Sequence, residues 1–232
     1  ISGTAYLTEA LPLSDAVELT PEFYVYGLLS GEPTTYEAYC WQGETLMTSD
    51  WMLWTWTPVW ERIYRFNTVL EYLDEVVQTT AAVHDQVEGE ARFGRAYYHF
   101  MLLTQYCLWD EDKPGIGYRD NAKAGEIPGR ETVGYTLEHI YEDLRLAEEA
   151  LTRAGRTTFD QTRNFRPTVP TVQAFRARVA LYRGDYELAL ANATEALKAH
   201  HVLVDFKNEP EYELEEWSWI SVLDEEGEPV DE

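Results

Sequence analysis

Apolar residues recur at steps of three and four through residues 171–200, the spacing that places them on one face of a helix. The two stripes consist of Val172, Phe175, Val179 and Tyr182, and then of Tyr186, Ala189, Leu190, Ala193, Ala196 and Leu197. Gly184 and Asp185 supply a tight turn between them, and Asp185 can cap the second helix. The segment therefore predicts an antiparallel helix pair of tetratricopeptide-like form.

Another helix is predicted to begin near Pro58. Thr57 has an N-cap residue type, and a proline at the first helical position loses no hydrogen bond. One face of this helix carries Trp60, Ile63, Leu70 and Val77. Asn67 interrupts that face, and a polar group among apolar ones needs hydrogen-bond partners. Asn67 is therefore expected to be either a structural bracket or a ligand contact.

Two further helices follow. The segment Val87–Cys107 is apolar on nearly all sides, which is typical of a central, buried helix, and Gly94 inside it indicates a close helix crossing. After the long connection Trp109–Arg130, Thr132 can cap a helix that ends near Gly155. The pattern predicts an all-α fold of tetratricopeptide-like helical pairs with long loops, an α–α superhelix, as a single domain over residues 1–232.

Charge narrows the class of partner. The chain has 18 Lys and Arg against 42 Asp and Glu, a formal net charge of −24. This disfavours nucleic acid and anionic membrane surfaces, and a neutral ligand, a cation or a protein fits better. No apolar run approaches the roughly 18 residues of a spanning helix. Cys40 and Cys107 are too few for a disulfide framework, so one bridge or two buried thiols are both open.

Motifs for catalysis, cofactors and metals are not found in the sequence. There is no phosphate-binding glycine loop, no nucleophile elbow and no paired histidine spacing. The nearest approach to a metal site is a calcium-loop fragment in which Asp110, Asp112 and Gly115 match positions one, three and six. Pro114 and Asn121 stand where that loop needs oxygen ligands, so no metal and no cofactor is predicted.

The aromatic run before Pro58 is the best candidate for ligand contact. Trp51, Trp54 and Trp56 lie where helix signals are weak. Tryptophan rings stack on the flat C–H faces of sugars, and the indole N–H takes a hydrogen bond. The alternative is that these rings pack under loops as core.

Three segments in the correct order resemble the SusD/RagB family of nutrient-binding surface lipoproteins of Bacteroidetes. They are WERIYRFNTVLEYLDE (Trp60–Glu75), GEARFGRAYYHFMLLTQY (Gly89–Tyr106) and PGRETVGYTLEHIYEDLRLAEEAL (Pro128–Leu151). The second is close to the family pattern G-E-A-R-F-L-R-A-x-x-Y-F. Gly94 stands where the family usually has leucine. Family members also continue past this length, so the chain resembles their amino-terminal helical part.

The resemblance implies a protein on the extracellular face of the outer membrane, anchored by a lipid on a cysteine that this chain lacks. It would bind an oligosaccharide, or in some relatives a peptide, and deliver it to a SusC-like TonB-dependent transporter. In this picture the helical repeats hold the transporter and the aromatic residues contact the ligand. No bond is made or broken.

We therefore expect a non-catalytic glycan-binding protein. The expected ligand contacts are Trp51, Trp54, Trp56 and Asn67. One alternative is a tetratricopeptide-type scaffold that binds only protein. The other is a glycoside hydrolase fragment, which would need two carboxylates facing a common cleft.

Overall fold

The computed structural model describes residues 49–77, 79–123, 125, 129–160 and 162–202, with side chains from residue 56 onward. Five α-helices occur in this part of the chain: α1 Ser49–Tyr72, α2 Ala81–Tyr106, α3 Val133–Arg153, α4 Val169–Arg183 and α5 Tyr186–Ala199. A 3-10 turn, Leu73–Glu75, extends α1. Within the described residues, β structure is limited to one bridge between Pro114 and Thr132. The all-α prediction is confirmed.

Each helix packs against the next one in sequence, so α2 lies between α1 and α3. The core cluster joins residues of the first four helices. Ile63 of α1, Leu103 of α2, Leu144 of α3 and Val179 of α4 are all fully buried. The described helices up to His200 belong to one compact unit. This sequential packing is the architecture that the helical-pair pattern predicted.

The α4–α5 hairpin forms as the sequence predicts. Gly184 has a φ of 81°, a left-handed conformation that costs glycine little. The Asp185 carboxylate accepts the backbone N–H of Leu188 at 3.0 Å and caps α5. Thr132 caps α3 in the same way, accepting the N–H of Tyr135 at 3.1 Å. These three local rules therefore set three helix ends correctly.

The predicted start of α1 at Thr57 is wrong. The helix begins at Ser49, and Pro58 lies inside it. Placing a proline at the first helical position considers only its local cost, the loss of one helical hydrogen bond. Contacts with other helices can offset that cost. In the structure Trp56 packs edge to face on Tyr106 of α2, with ring centroids 4.9 Å apart. This contact stabilises the turn before the proline. The predicted start of α2 near Val87 is also too late, because α2 begins at Ala81.

Only part of the apolar stripe predicted for α5 is buried against the rest of the protein. The alanines of that stripe, Ala189, Ala193 and Ala196, are partly buried. Tyr186, Leu190 and Leu197 are exposed. These three side chains, which we call the α5 edge, form an uncovered apolar surface in the described part of the chain.

Gly94 marks a close crossing, as predicted. A Cβ atom added at Gly94 would lie 2.6 Å from the Cε atoms of the Phe66 ring, which belongs to α1. The ring of Phe66 therefore occupies the space that a side chain at position 94 would need. The resemblance puts leucine at this position in relatives, and in this chain a leucine there would overlap the Phe66 ring.

Replacing Gly94 with leucine should therefore destabilise the fold by about 1–3 kcal/mol or more, because the ring and the new side chain compete for one volume. Phe66→Ala should relieve much of that loss in the double variant. Urea denaturation of the wild type, both single variants and the double variant measures the coupling. Simple additivity of the two free-energy changes would show that Phe66 does not fill this space.

Candidate functional site

The three candidate tryptophans all lie on α1. Positions 51 and 54 are on its first turns, and the side chains of Trp51 and Trp54 are outside the described residues. Trp56 is partly buried and packs edge to face on Trp60, with ring centroids 5.5 Å apart, as well as on Tyr106. Trp56 thus contributes to an aromatic cluster between α1 and α2. The irregular backbone expected around these tryptophans is replaced by helix.

Asn67 is 1% exposed, and both the nitrogen and the oxygen of its side-chain amide form hydrogen bonds. Its Nδ2 donates to the carbonyl oxygens of Arg119 and Asn121, each at 3.0 Å. Its Oδ1 accepts a hydrogen bond from Arg95 Nη1 at 2.9 Å. The structure therefore shows the bracket role: Asn67 ties α1 to α2 and to the connection between α2 and α3. A ligand contact at Asn67 stays a prediction.

Arg95 and Asp143 form a buried ion pair between α2 and α3. Arg95 Nε donates to Asp143 Oδ2 at 2.7 Å, and Nη2 donates to Oδ1 at 2.6 Å. The residues are 7% and 3% exposed. Burial lowers the pKa of Arg95, but the hydrogen bonds and charge of Asp143 outweigh it and leave the pKa above its usual value. Arg95 is therefore a permanent cation whose charge is neutralised inside the protein.

His99 is neutral in this structure, and its hydrogen bonds fix the tautomer. Its Nδ1 lies 2.8 Å from the carbonyl oxygen of Arg95, which can only accept, so Nδ1 carries the proton. Its Nε2 accepts the backbone N–H of Arg119 at 3.0 Å. Complete burial lowers the pKa of His99 to about 4, against the raising effect of the Arg95 carbonyl. The neutral imidazole of His99 thus anchors the connection between α2 and α3 by accepting a hydrogen bond from the backbone of Arg119.

Tyr118 completes the network from the connection itself. Its hydroxyl donates to Asp143, and its ring stacks on His99 with centroids 4.2 Å apart. Burial first, and then the charge of Asp143, raise the pKa of Tyr118, so the hydroxyl keeps its proton. Asp143 therefore accepts hydrogen bonds from both an arginine and a tyrosine. We call Asn67, Arg95, His99, Tyr118 and Asp143 the central network.

Outside the central network, the described part of the long connection is anchored at both ends. Gly115 N–H donates to the Glu131 carbonyl at 2.7 Å, and Thr136 Oγ1 donates to the carbonyl of Ile116 at 3.0 Å. Arg183 of α4 forms an ion pair with Glu111 at 2.7 Å. The connection is thus bound to α3 and α4 as well as to α1 and α2.

A polar groove of about 410 Å³ opens beside the central network. It is lined by Asn67, Leu70, Glu71, Arg92, Arg95, Asp120, Asn121 and Lys123. The internal hydrogen bonds of Asn67 and Arg95 are already made. The Oε2 atom of Glu71 accepts the N–H of Ala122 at 3.2 Å. Polar groups of Asn67, Arg95 and Glu71 in this groove are therefore engaged in hydrogen bonds within the protein.

Metal-ligating side chains do not cluster in the described part of the chain, where no three His, Cys, Asp or Glu residues converge. Asp110 Oδ1 accepts the backbone N–H of Asp112 at 3.1 Å, which is a local turn contact. Cys107 is a free, partly buried thiol, and Cys40 lies outside the described residues. None of the described helices has the length and apolarity that crossing a bilayer requires.

Sequence reasoning missed the ion pair, although a signal for it was present. Arg95 lies on the helix that is apolar on nearly all sides, and Asp143 lies on the buried face of α3 between Ile140 and Ala147. Opposite charges on the apolar faces of two neighbouring helices indicate a buried pair, because a lone buried charge is very costly.

Comparison with known proteins decides the family. The model of a family described as "Starch-binding associating with outer membrane", SusD-like, matches residues 20–181. The chain belongs to the SusD-like family. Carbohydrate binding and association with the outer membrane are therefore properties of the family to which it belongs. No curated protein matches the chain in sequence.

Solved structures show the same fold. A SusD-like carbohydrate-binding protein from Bacteroides vulgatus has a TM-score of 0.64 and 16% identity, covering 89% of this chain and 41% of its own. A SusD superfamily protein from Bacteroides thetaiotaomicron has a TM-score of 0.57 and 20% identity, and the match covers 63% of this chain and 32% of that protein. Surface glycan-binding protein A from Bacteroides uniformis has a TM-score of 0.53 and 19% identity, and the match covers 66% of this chain and 36% of that protein. At these identities the likeness establishes the fold alone.

This SusD-like chain therefore spans between 32% and 41% of the length of these three structures.

Asp143→Asn should reduce the free energy of unfolding of this SusD-like chain by about 3–5 kcal/mol, because it leaves the buried Arg95 cation without its counter-charge. The matched control is Glu142→Gln. Glu142 is the adjacent residue and pairs with Arg145 on the surface at 2.6 Å, where solvent screens the pair, so its loss should have a much smaller effect on stability. Urea unfolding measures both variants. Equal losses would contradict a special role for the buried pair.

Stability should also fall in acid through His99. Its pKa is about 4 in the folded protein and 6.5 when unfolded, so the unfolded state takes up a proton first. The contribution is fully present above pH 6.5 and is lost as pH falls toward 4. Between pH 7 and 5 the wild type should lose about 2 kcal/mol more than His99→Gln.

The matched control for His99 is His84→Gln. His84 is a partly exposed histidine hydrogen-bonded to Asp74 at 3.0 Å. Urea unfolding at several pH values gives the three curves. The His99→Gln curve should be flatter than the other two between pH 7 and 5, and a His99→Gln curve parallel to the wild type would show that His99 does not carry the effect.

Proposed function

We propose that this chain takes part in non-catalytic binding of an oligosaccharide nutrient at the extracellular face of the outer membrane. The protein would be lipid-anchored and would deliver the ligand to a SusC-like TonB-dependent transporter. The observation that carries the proposal is the family match over residues 20–181, whose description names starch binding and the outer membrane. The ligand is an oligosaccharide, with a peptide as the second possibility that the resemblance leaves open.

Helical register supports the choice of Trp51 and Trp54 as ligand contacts. On a regular helix, position 54 lies about 180° and position 51 about 120° from the buried face marked by Val59, Ile63 and Asn67. Trp56 lies on the buried side and packs on Tyr106. We therefore assign stacking on sugar rings to Trp51 and Trp54. Trp56 would act as the support that holds the first turns of α1 against α2.

The buried carboxylate supports a binding role over hydrolysis. Among the described residues, the buried acid is Asp143, and its two oxygens accept hydrogen bonds from Arg95 and Tyr118. A general acid in a glycosidase has a proton to give and faces its substrate. Asp143 has both oxygens engaged by Arg95 and is enclosed between helices. It therefore serves the fold.

The α5 edge supports docking of the transporter. Tyr186, Leu190 and Leu197 recur at helical spacing and are exposed. Exposed apolar stripes of this kind are typical of protein interaction surfaces. The α4–α5 hairpin would thus hold the transporter while α1 contacts the glycan. The same surface would serve a scaffold that binds only protein, which is the second candidate function.

A glycan screen on the full chain tests the proposal, starting with maltoheptaose because the family description names starch. Trp51→Ala and Trp54→Ala should each weaken binding by about tenfold, since each removes one stacked ring. Tyr72→Ala is the matched control, because Tyr72 is a half-exposed aromatic residue at the other end of α1. Isothermal titration gives the affinities.

Two outcomes would contradict the proposal. Binding that is unchanged in both tryptophan variants would remove the assigned contacts. Absence of any oligosaccharide binding, with retained binding of a protein partner, would favour the scaffold.

A further inference from the structure

A second cavity lies between the segment that follows α3 and the carboxyl end of α5. It has a volume of about 470 Å³, within the range of small-ligand sites. Its lining residues are Gly155, Arg156, Thr158, Phe159, Asp160, Ala199 and His200. It shares no residue with the tryptophans of α1 or with the polar groove beside the central network. Neither the fold nor the proposed function accounts for this cavity.

One wall of the cavity is aromatic. The rings of Phe159 and His200 stack with centroids 4.3 Å apart and an interplanar angle of 24°. His200 is the exposed member of the pair and Phe159 is partly buried. The pair therefore joins the connection after α3 to the end of α5, and its exposed imidazole offers a surface on which a flat, apolar ligand face can stack.

A second wall is polar, and the Arg156–Asp160 pair in it carries no net charge. Arg156 Nη2 donates to Asp160 Oδ2 at 3.1 Å. Asp160 Oδ1 in turn accepts from the Thr162 hydroxyl at 2.7 Å and from the backbone N–H groups of Thr162 and Arg163. Asp160 thus fixes both the turn at Thr162 and Arg163 and the guanidinium of Arg156. Because the pair is neutral as a whole, the wall does not favour an anionic ligand.

One donor in this wall is unmet. Arg156 Nε is buried and has no hydrogen-bond partner in the described part of the chain. Buried polar groups in proteins are nearly always hydrogen-bonded, so an unmet donor beside a cavity calls for a partner. The Nε atom has almost no surface accessible to solvent, so a ligand hydroxyl would reach it only if the guanidinium turned toward the cavity. The hydroxyl of Thr158 adds a group that can both donate and accept.

We propose that this cavity is a second saccharide site, which binds one sugar unit of a neutral oligosaccharide. The C–H face of the ring lies on the His200–Phe159 pair, and ring hydroxyls contact Arg156 and Thr158. The ligand class rests on the proposed function, but the site itself does not depend on Trp51 or Trp54. A chain long enough to reach both sites would gain affinity through multivalency.

The test uses the full chain and three neutral probes, maltoheptaose, cellohexaose and xylohexaose. The imidazole resonances of His200, assigned with His200→Gln, report on the cavity by NMR. The part of the tryptophan fluorescence response that is lost in the Trp51→Ala/Trp54→Ala double variant reports separately on α1, because other tryptophans of the chain lie outside that helix. At least one probe should shift the His200 resonances at concentrations up to about 10 mM. That shift should persist in the Trp51→Ala/Trp54→Ala double variant.

Ala199→Leu provides the blocking variant, because Ala199 lines the cavity and lies on the last turn of α5. The added side chain should occupy part of the cavity beside His200 and weaken the response there by about tenfold or more. Ala191→Leu is the matched control, an exposed alanine on the same helix outside the cavity. It should leave the response unchanged.

The two proposals fail separately. If no probe shifts the His200 resonances, or if Ala199→Leu binds like the wild type, the second site is overturned whatever the fluorescence shows. If the His200 resonances shift but the fluorescence response is absent or insensitive to Trp51→Ala and Trp54→Ala, the assignment of the α1 tryptophans fails and the second site stands.

Discussion

The pair between Arg95 and Asp143 is the interaction on which the rest of the structure depends. Removing two charges from water is costly, and the cost is offset only when the geometry is good and the remaining polar atoms are satisfied. Here two short hydrogen bonds join the partners, and Asn67 and Tyr118 occupy the atoms that remain. One network thereby fixes α1, α2, α3 and the connection between α2 and α3 at a single point.

This constraint shapes what the surface can do. Because the central network holds α1 by Asn67 from within, the opposite side of that helix, where Glu61 and Tyr72 are exposed, faces away from the core. α4 packs on α3, and α5 packs on α4 and leaves the α5 edge exposed. The frame therefore separates two surfaces, one on α1 and one on α5. Such a division suits a family described as binding starch at the outer membrane.

The sequence predicted those features that depend on local rules or on strong periodicity. Gly184 and Thr132 set helix ends through conformations and caps that involve only a few neighbouring residues. Pro58 misled the same reasoning, because a contact of Trp56 with Tyr106, fifty residues away, offsets a local cost. The pairing of Arg95 with Asp143 could not be derived from either helix alone. It depends on the angle and register at which α2 and α3 cross.

Native-state hydrogen exchange at the backbone amide of Arg119 tests this account most directly. That N–H donates to His99 Nε2 inside the central network, on the connection that the network is said to fix. The account predicts that it exchanges only through global unfolding, with the same free energy as amides in the middle of α2. Exchange through a local opening of much lower free energy, while α2 stays protected, would show that the network does not hold the connection.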